Sequence, residues 1–334
     1  MPFMRQRPNP NRRDFLKTCI ASAAFTAGMS PFGPFSTPVE KSKVVISRDP
    51  LLRGGGSSLD SGRLLKMLDR SVQALHSSDS PQEAWKKVVR PGEVVGLKVN
   101  CLAGRGISTS VLLVEVICER LQEAGVAKKD IVIWDRLNTD LESAGFRVTT
   151  GPDRIRYMGN DTLGYEEDLA IYGSVGSRVS KTLTQLCDAV INLPVLKDHS
   201  IAGVTIALKN MFGAIHNPNK YHLNVGDPYV ADVNVLPPIR QRTRLNICDA
   251  VTAQYEGGPS FMPQWTWPYN GLLVSADPVA LDYVGWQILE QKRAEKGMKS
   301  LLALERAPKY IATAADAQHR LGTSDPARIE QMEV

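Results

Sequence analysis

Between residues 197 and 224 the sequence concentrates side chains that bind ligands or move protons. Lys197-Asp198-His199 is followed by Lys209-Asn210 at the end of an apolar run, then by His216, Lys220, Tyr221, His222 and Asn224. Two chemistries suit this set. Nitrogen and oxygen donors fit a divalent metal, with His199, His216 and His222 as imidazole ligands and Asp198 as carboxylate, although the spacing follows no standard metal motif. The lysines fit an anion: Lys98, Lys197 and Lys209, with the amides of Asn100 and Asn210, would hold a carboxylate or phosphate, and Lys220 is a fourth candidate. His199 is then the expected proton-transfer group, because an unperturbed imidazole titrates nearest working pH. Asp249 and Asp282 are the expected catalytic carboxylates that orient it. Lys98 sits in a strand that is apolar on both sides and is expensive to bury alone. Its counter-charge is Asp135, Asp249 or a bound anion.

The elements that must position these groups alternate between strand and helix. Residues 94–99, 131–134, 189–193, 245–248 and 272–275 are short apolar runs of buried-strand type, and 110–124 carry Leu112, Leu113, Val116, Ile117 and Leu121 at helical spacing before Gly125. Residues 181–187 and 203–214 read as further helices. Asp277-Pro278 opens another, running to about residue 291, with Asp277 as N-cap and Pro278 in the first turn. Strand, helix, strand units require parallel strands. The expected fold class is therefore α/β, a layered, mostly parallel sheet with helices on both faces; a division into sub-domains near 150–180 is compatible with it. In such sheets ligands bind beyond the carboxyl ends of the strands, where Asn100, Asp135, Lys197 to His199 and Asp249 all fall.

Composition bounds the rest. The chain has 334 residues, 43% of them hydrophobic and 22% charged, which excludes disordered and collagen-like classes. The net charge of +5 is concentrated at the N-terminus: without residues 1–38 it falls to about +1, which removes the argument for a nucleic-acid partner. Asn11-Arg12-Arg13-Asp14-Phe15-Leu16-Lys17, followed by a weakly apolar stretch and a Pro-rich exit, resembles a twin-arginine export signal. That resemblance implies cleavage, use of the twin-arginine export machinery, a periplasmic or otherwise extracytoplasmic location and a mature domain over 39–334 without a membrane span. Cys101, Cys118, Cys187 and Cys248 form no Cys-x-x-Cys pair, so no iron-sulfur cluster is encoded by a local motif. Glu256 in the Gly-Gly-Pro turn is a weak general-base candidate. Trp265, Trp267 and Tyr269 could wall a pocket, and Gly54-Gly55-Gly56 lacks the Lys-Ser/Thr of a phosphate loop.

Val190 to Gly213, which contains Lys197, His199 and Lys209-Asn210-Met211-Phe212-Gly213, and Ser275 to Asp282 resemble the family labelled domain of unknown function 362. The resemblance extends from about residue 43 to the end. It implies no reaction. Some relatives carry a cysteine-rich ferredoxin insert that this chain lacks, and where relatives have Lys-Pro-Asn this chain has Lys98-Val99-Asn100. Two functional classes stay open: an exported enzyme acting on a small anionic substrate, with or without a metal, and a non-catalytic ligand-binding or assembly subunit of an extracytoplasmic redox complex.

Overall fold

Runs such as Ile131-Val132-Ile133-Trp134 have no polar face, and they can be stable only as strands covered on both sides. The computed structural model, which describes residues 41–334 except 55 and 57, arranges them so. The expected export segment lies outside the described residues. The strands are β1 (Ser42–Arg48), β2 (Val95–Lys98), β3 (Ile131–Asp135), β4 (Arg156–Gly159), β5 (Ala170–Tyr172), β6 (Val175–Ser177), β7 (Ala189–Asn192), β8 (Val195–His199), β9 (Gly203–Thr205), β10 (Thr243–Gln254), β11 (Thr266–Trp267), β12 (Gly271–Ser275) and β13 (Ile329–Glu333). The main sheet runs β13-β1-β12-β10-β7-β2-β3-β4, with β8 and β11 attached to β10 and β9 to β8; β5 and β6 pair separately.

Alternate residues feed two cores. Val95, Leu97, Ile131, Ile133, Leu272 and Val274 pack under the helices Ser61–His76 and Val111–Glu123, whereas Val132, Trp134, Val190 and Leu273 face the side covered by Pro278–Glu295. The fold is thus α/β, with a mostly parallel sheet and helices on both faces. The Val111–Glu123 helix ends as expected: Gly125 takes a φ of +97°, and Gly125 N and Val126 N donate to Gln122 O and Leu121 O. Asp277 accepts from Val279 N and Ala280 N at 2.8 and 2.9 Å, capping the helix that Pro278 begins. At Gly96 no side chain fits, since a Cβ would lie 2.6 Å from Cys187 Sγ. The four described cysteines are free and buried. No helix among the described residues is long and apolar enough to cross a membrane.

β12 is antiparallel to both β1 and β10, since the chain reaches it from β10 by a short return through β11 and not by a helical crossover. Two expectations are corrected. Residues 203–214 are not one helix; they form β9, the single helical turn Ala207–Asn210 and a 3₁₀ turn, Met211–Ala214. Residues 195–199, beyond the Pro194 that ends the expected strand 189–193, are strand β8, which pairs with β10 in parallel and with β9 in a hairpin.

Ion pairs tie the C-terminal segment down. Arg306 bonds Asp198 and Glu256, and Arg293 bonds Glu256 as well, so Glu256 is committed to structure. Buried His319 places Nε2 2.9 Å from Asp232 and Nδ1 2.8 Å from Asp316. Burial pulls its pKa down, but the two carboxylates outweigh that and leave it raised. Its contribution to stability is therefore complete below the unfolded value of about 6.5 and disappears as pH rises through the folded value. His319→Gln should cost about 2 kcal/mol near pH 5.5 and markedly less near pH 9, read from urea midpoints at the two pH values. An equal loss at both would contradict a charged His319.

Candidate functional site

Three neighbouring strands bring polar residues into register at one rim of the sheet. Lys98 of β2 lies opposite Asn192 of β7, which lies opposite Asn246 of β10. The asparagines form a ladder: Asn246 Oδ1 accepts from Asn192 Nδ2 (3.0 Å), Asn192 Oδ1 from Asn210 Nδ2 (2.8 Å), and Asn210 Oδ1 from Asn100 Nδ2 (2.9 Å). Each amide is fixed by its neighbour in a buried polar network whose last member, Asn100, keeps its Oδ1 without a partner. Lys98 donates to Asp135 Oδ1 and to Val99 O, both at 2.7 Å. Asp135 Oδ2 accepts from Cys101 N, so the pair also anchors the loop that follows β2. Gly213 must lack a side chain here, since a Cβ would lie 2.7 Å from Lys98 Nζ.

The opposite wall comes from β8, β9 and the turn Ala207–Asn210. Side chains alternate along β8: Lys197 and His199 line the cavity, while Asp198 faces Arg306 and Gly258 N. Lys197 Nζ donates to Ile107 O and Pro259 O, both at 3.3 Å, clasping the loops after β2 and β10 together. The helical turn is too short to hold itself. Asp282 accepts from Ala207 N and Leu208 N, and Asn234 donates to Leu208 O, which sets Lys209 and Asn210 toward the cavity. Lys209 Nζ sits 3.9 Å from the centre of the Phe212 ring.

The cavity measures about 310 Å³ and is open to solvent on one side. Four cationic side chains line it, Lys98, Lys197, Lys209 and Arg136, against two carboxylates, Asp135 and Asp140. Lys98 takes Asp135 and Arg136 takes Asp140, at 2.7 and 3.2 Å. Lys197 and Lys209 have no carboxylate within bonding distance among the described residues. Burial lowers the pKa of Lys197 to about 8, and burial with the nearby charge of Lys197 lowers that of Lys209 to about 7. Two buried polar atoms of the wall, Asn100 Oδ1 and Thr205 Oγ1, have no hydrogen-bond partner.

His199 differs from expectation. Its Nδ1 accepts from Ile201 N (3.2 Å) and Ala202 N (3.1 Å), and its ring stacks on His222 with centres 5.3 Å apart. Burial, then the charges of Lys209, His222 and Lys197, depress its pKa to about 2. With Nδ1 accepting from backbone, His199 is a neutral hydrogen-bond donor through Nε2, not a group that titrates near neutral pH.

Of the expected site residues, Lys98, Asn100, Lys197, Lys209, Asn210, His199 and His222 do meet in this cavity. The others do not. Asp249 accepts from Ser110 N and Val251 N beneath the Val111–Glu123 helix, where burial raises its pKa to about 6. Asp282 is spent on its helical turn, His216 is exposed and packs edge-on to Tyr165, and Lys220 bonds Gly176 O. The expected metal ligands Asp198, His199, His216 and His222 are thus not gathered, and no group of three or more His, Cys, Asp or Glu suited to a metal occurs among the described residues. Trp267 packs against Tyr255 and Tyr269, away from the cavity. Arg136, directly after β3, is marked by its strand-end position in the sequence, whereas Asp140, in the helix Asn138–Ala144, carries no such signal and Thr205 and Phe212 fall in a run that reads as a helix.

Removing Asp135 leaves Lys98 charged in a dry strand end. Asp135→Asn should destabilise the protein by about 3–5 kcal/mol, while the double change Lys98→Met with Asp135→Leu recovers most of that loss, measured by chemical denaturation. Equal stability of Asp135→Asn and the parent would show that the pair is not the anchor.

No curated protein matches the sequence. A crystal structure of a Thermotoga maritima protein, from the Northeast Structural Genomics Consortium, is similar at 9% identity with a TM-score of 0.42; the likeness covers 72% of this chain and 60% of that one. The sequence model of one family, described as a domain of unknown function (DUF362), matches residues 95–287, which take in β2 to β12 and the whole cavity wall. The chain belongs to the DUF362 family.

Proposed function

We propose that the protein is an enzyme that binds a small anion, a carboxylate or a phosphate, in the cavity between the carboxyl ends of β2 and β3 and the β8–β9 hairpin. The observation that carries this reading is the charge imbalance of the cavity wall: Lys197 and Lys209 are buried, line the cavity and lack a carboxylate within bonding distance among the described residues. Burying cations without counter-charge is unfavourable, and an anion would offset that cost for both at once. Thr205 Oγ1 would find an acceptor on the anion, and Asn100 Oδ1 would accept from a hydroxyl carried by the same ligand. An amine that is half neutral near pH 7, as Lys209 is, supplies the proton-transfer group that His199 does not. The resemblance of residues 11–17 to a twin-arginine signal supports action outside the cytoplasm.

An anion raises the pKa of both lysines, so binding above pH 7 takes up protons and weakens as pH rises beyond 8. Calorimetry with glyoxylate, malonate and inorganic phosphate, in buffers of differing ionisation heat, should show this for at least one of them. Lys197→Met should then lower affinity by about 10- to 100-fold. A parent protein that binds none of the three would refute the proposal. For export, residues 1–38 fused to a reporter should carry it out of the cytoplasm, and Arg12→Lys with Arg13→Lys should retain it.

A further inference from the structure

The three cavity lysines differ in what holds them. Lys98 Nζ has three acceptors, Asp135 Oδ1, Val99 O and, at 3.4 Å, Asn210 Oδ1. Lys197 Nζ has two carbonyls. Lys209 Nζ has no hydrogen-bond acceptor among the described residues and rests on the face of Phe212, although the residue is only 7% exposed. A lysine kept for structure is not buried in this way, because an ammonium without acceptors gives up its hydration for little return. The arrangement does suit an amine with a free lone pair: an apolar floor, a second cationic group nearby and an opening onto a ligand cavity are the conditions that activate a lysine nucleophile.

We propose that Lys209 forms an imine with the carbonyl carbon of a short oxo-carboxylate whose carboxylate is held by Lys197. This rests on the reading of the cavity as an anion site and narrows its substrate class. The neutral Lys209 Nζ adds its lone pair to the carbonyl carbon, the C=O π pair moves to oxygen, and a proton passes from the now positive nitrogen to that oxygen, which leaves nitrogen with a lone pair. The carbinolamine then loses that oxygen as water: the C–O bond breaks, a further proton leaves with the oxygen, and the nitrogen lone pair closes the C=N bond. Lys209 ammonium plus ketone thus becomes iminium plus water, with no oxidant or reductant. Thr205 Oγ1 lines the same cavity as a hydroxyl able to pass the proton to the departing oxygen, and Asn100 Oδ1 is an unpartnered acceptor for the carbinolamine hydroxyl.

The test is reductive trapping on the intact protein with glyoxylate or pyruvate and cyanoborohydride, followed by peptide mapping. At pH 7 Lys209 holds roughly a thousandfold more neutral amine than an ordinary lysine, so the reduced adduct should sit on Lys209 well above every other lysine. Adduct yield should rise with pH through about 7. Lys209→Arg, which keeps a cation in place, should lose the adduct. Calorimetry without reductant, with malonate as a carbonyl-free control, runs alongside. Anion binding without an adduct on Lys209, or labelling no stronger than at exposed lysines, overturns the imine and leaves the anion site standing. Absence of both binding and adduct overturns the two together.

Discussion

The molecule is organised around positive charge that the fold buries. A lysine at the end of a strand apolar on both faces needs a partner, and Lys98 meets the demand with Asp135 on the neighbouring strand, one residue past its register partner Trp134. That contact fixes more than a charge. Through Asp135 it holds the loop after β2, and beside it the backbone of Gly213 approaches so closely that no side chain fits. The asparagine ladder carries the same order across β7 to β10. Once this rim is rigid, the remaining cavity lysines sit in a fixed, low-dielectric wall, where their charges act strongly on one another and on whatever enters.

The corollary concerns Lys197 and Lys209. In the unfolded chain both stay charged to about pH 10, whereas in the fold they deprotonate near 8 and 7. Between those limits the unfolded state holds more protons, so these two groups make the empty protein more stable as pH rises and less stable as it falls. An anion in the cavity reverses the balance by favouring the charged forms. Binding energy and proton affinity at this site are thus one quantity seen from two sides, which is the physical reason to read the cavity as functional and not as a packing flaw.

Much of this was legible in the sequence, for reasons that can be stated residue by residue. The parallel core could be read because 94–99, 131–134 and 189–193 are apolar without alternation, and the convergence of Lys98 and Lys197 followed from their places at or after strand ends, while Lys209 and Asn210 were reached through the end of a run read as a helix. What could not be read was set by tertiary contacts. Val195-Leu196-Lys197-Asp198-His199 mixes charge into a strand, and only its pairing with β10 and its opposed faces, cavity on one side and Arg306 on the other, accounts for the pattern. The sequence likewise assigned Asp249 and Asp282 to chemistry by position, yet each is consumed by backbone N–H groups that no local signal reveals. His199 was chosen for an ordinary imidazole pKa, which burial and then the neighbouring cations remove.

The most direct test of this account is the titration of the Lys209 side chain itself, followed by NMR with lysine labelled at Cε and Nζ and assigned with Lys209→Arg. In the empty protein its midpoint should lie near pH 7, and it should move upward when glyoxylate or malonate is added. A midpoint at the ordinary lysine value of about 10.4, unmoved by either anion, would contradict the claim that this cavity holds uncompensated positive charge for a ligand.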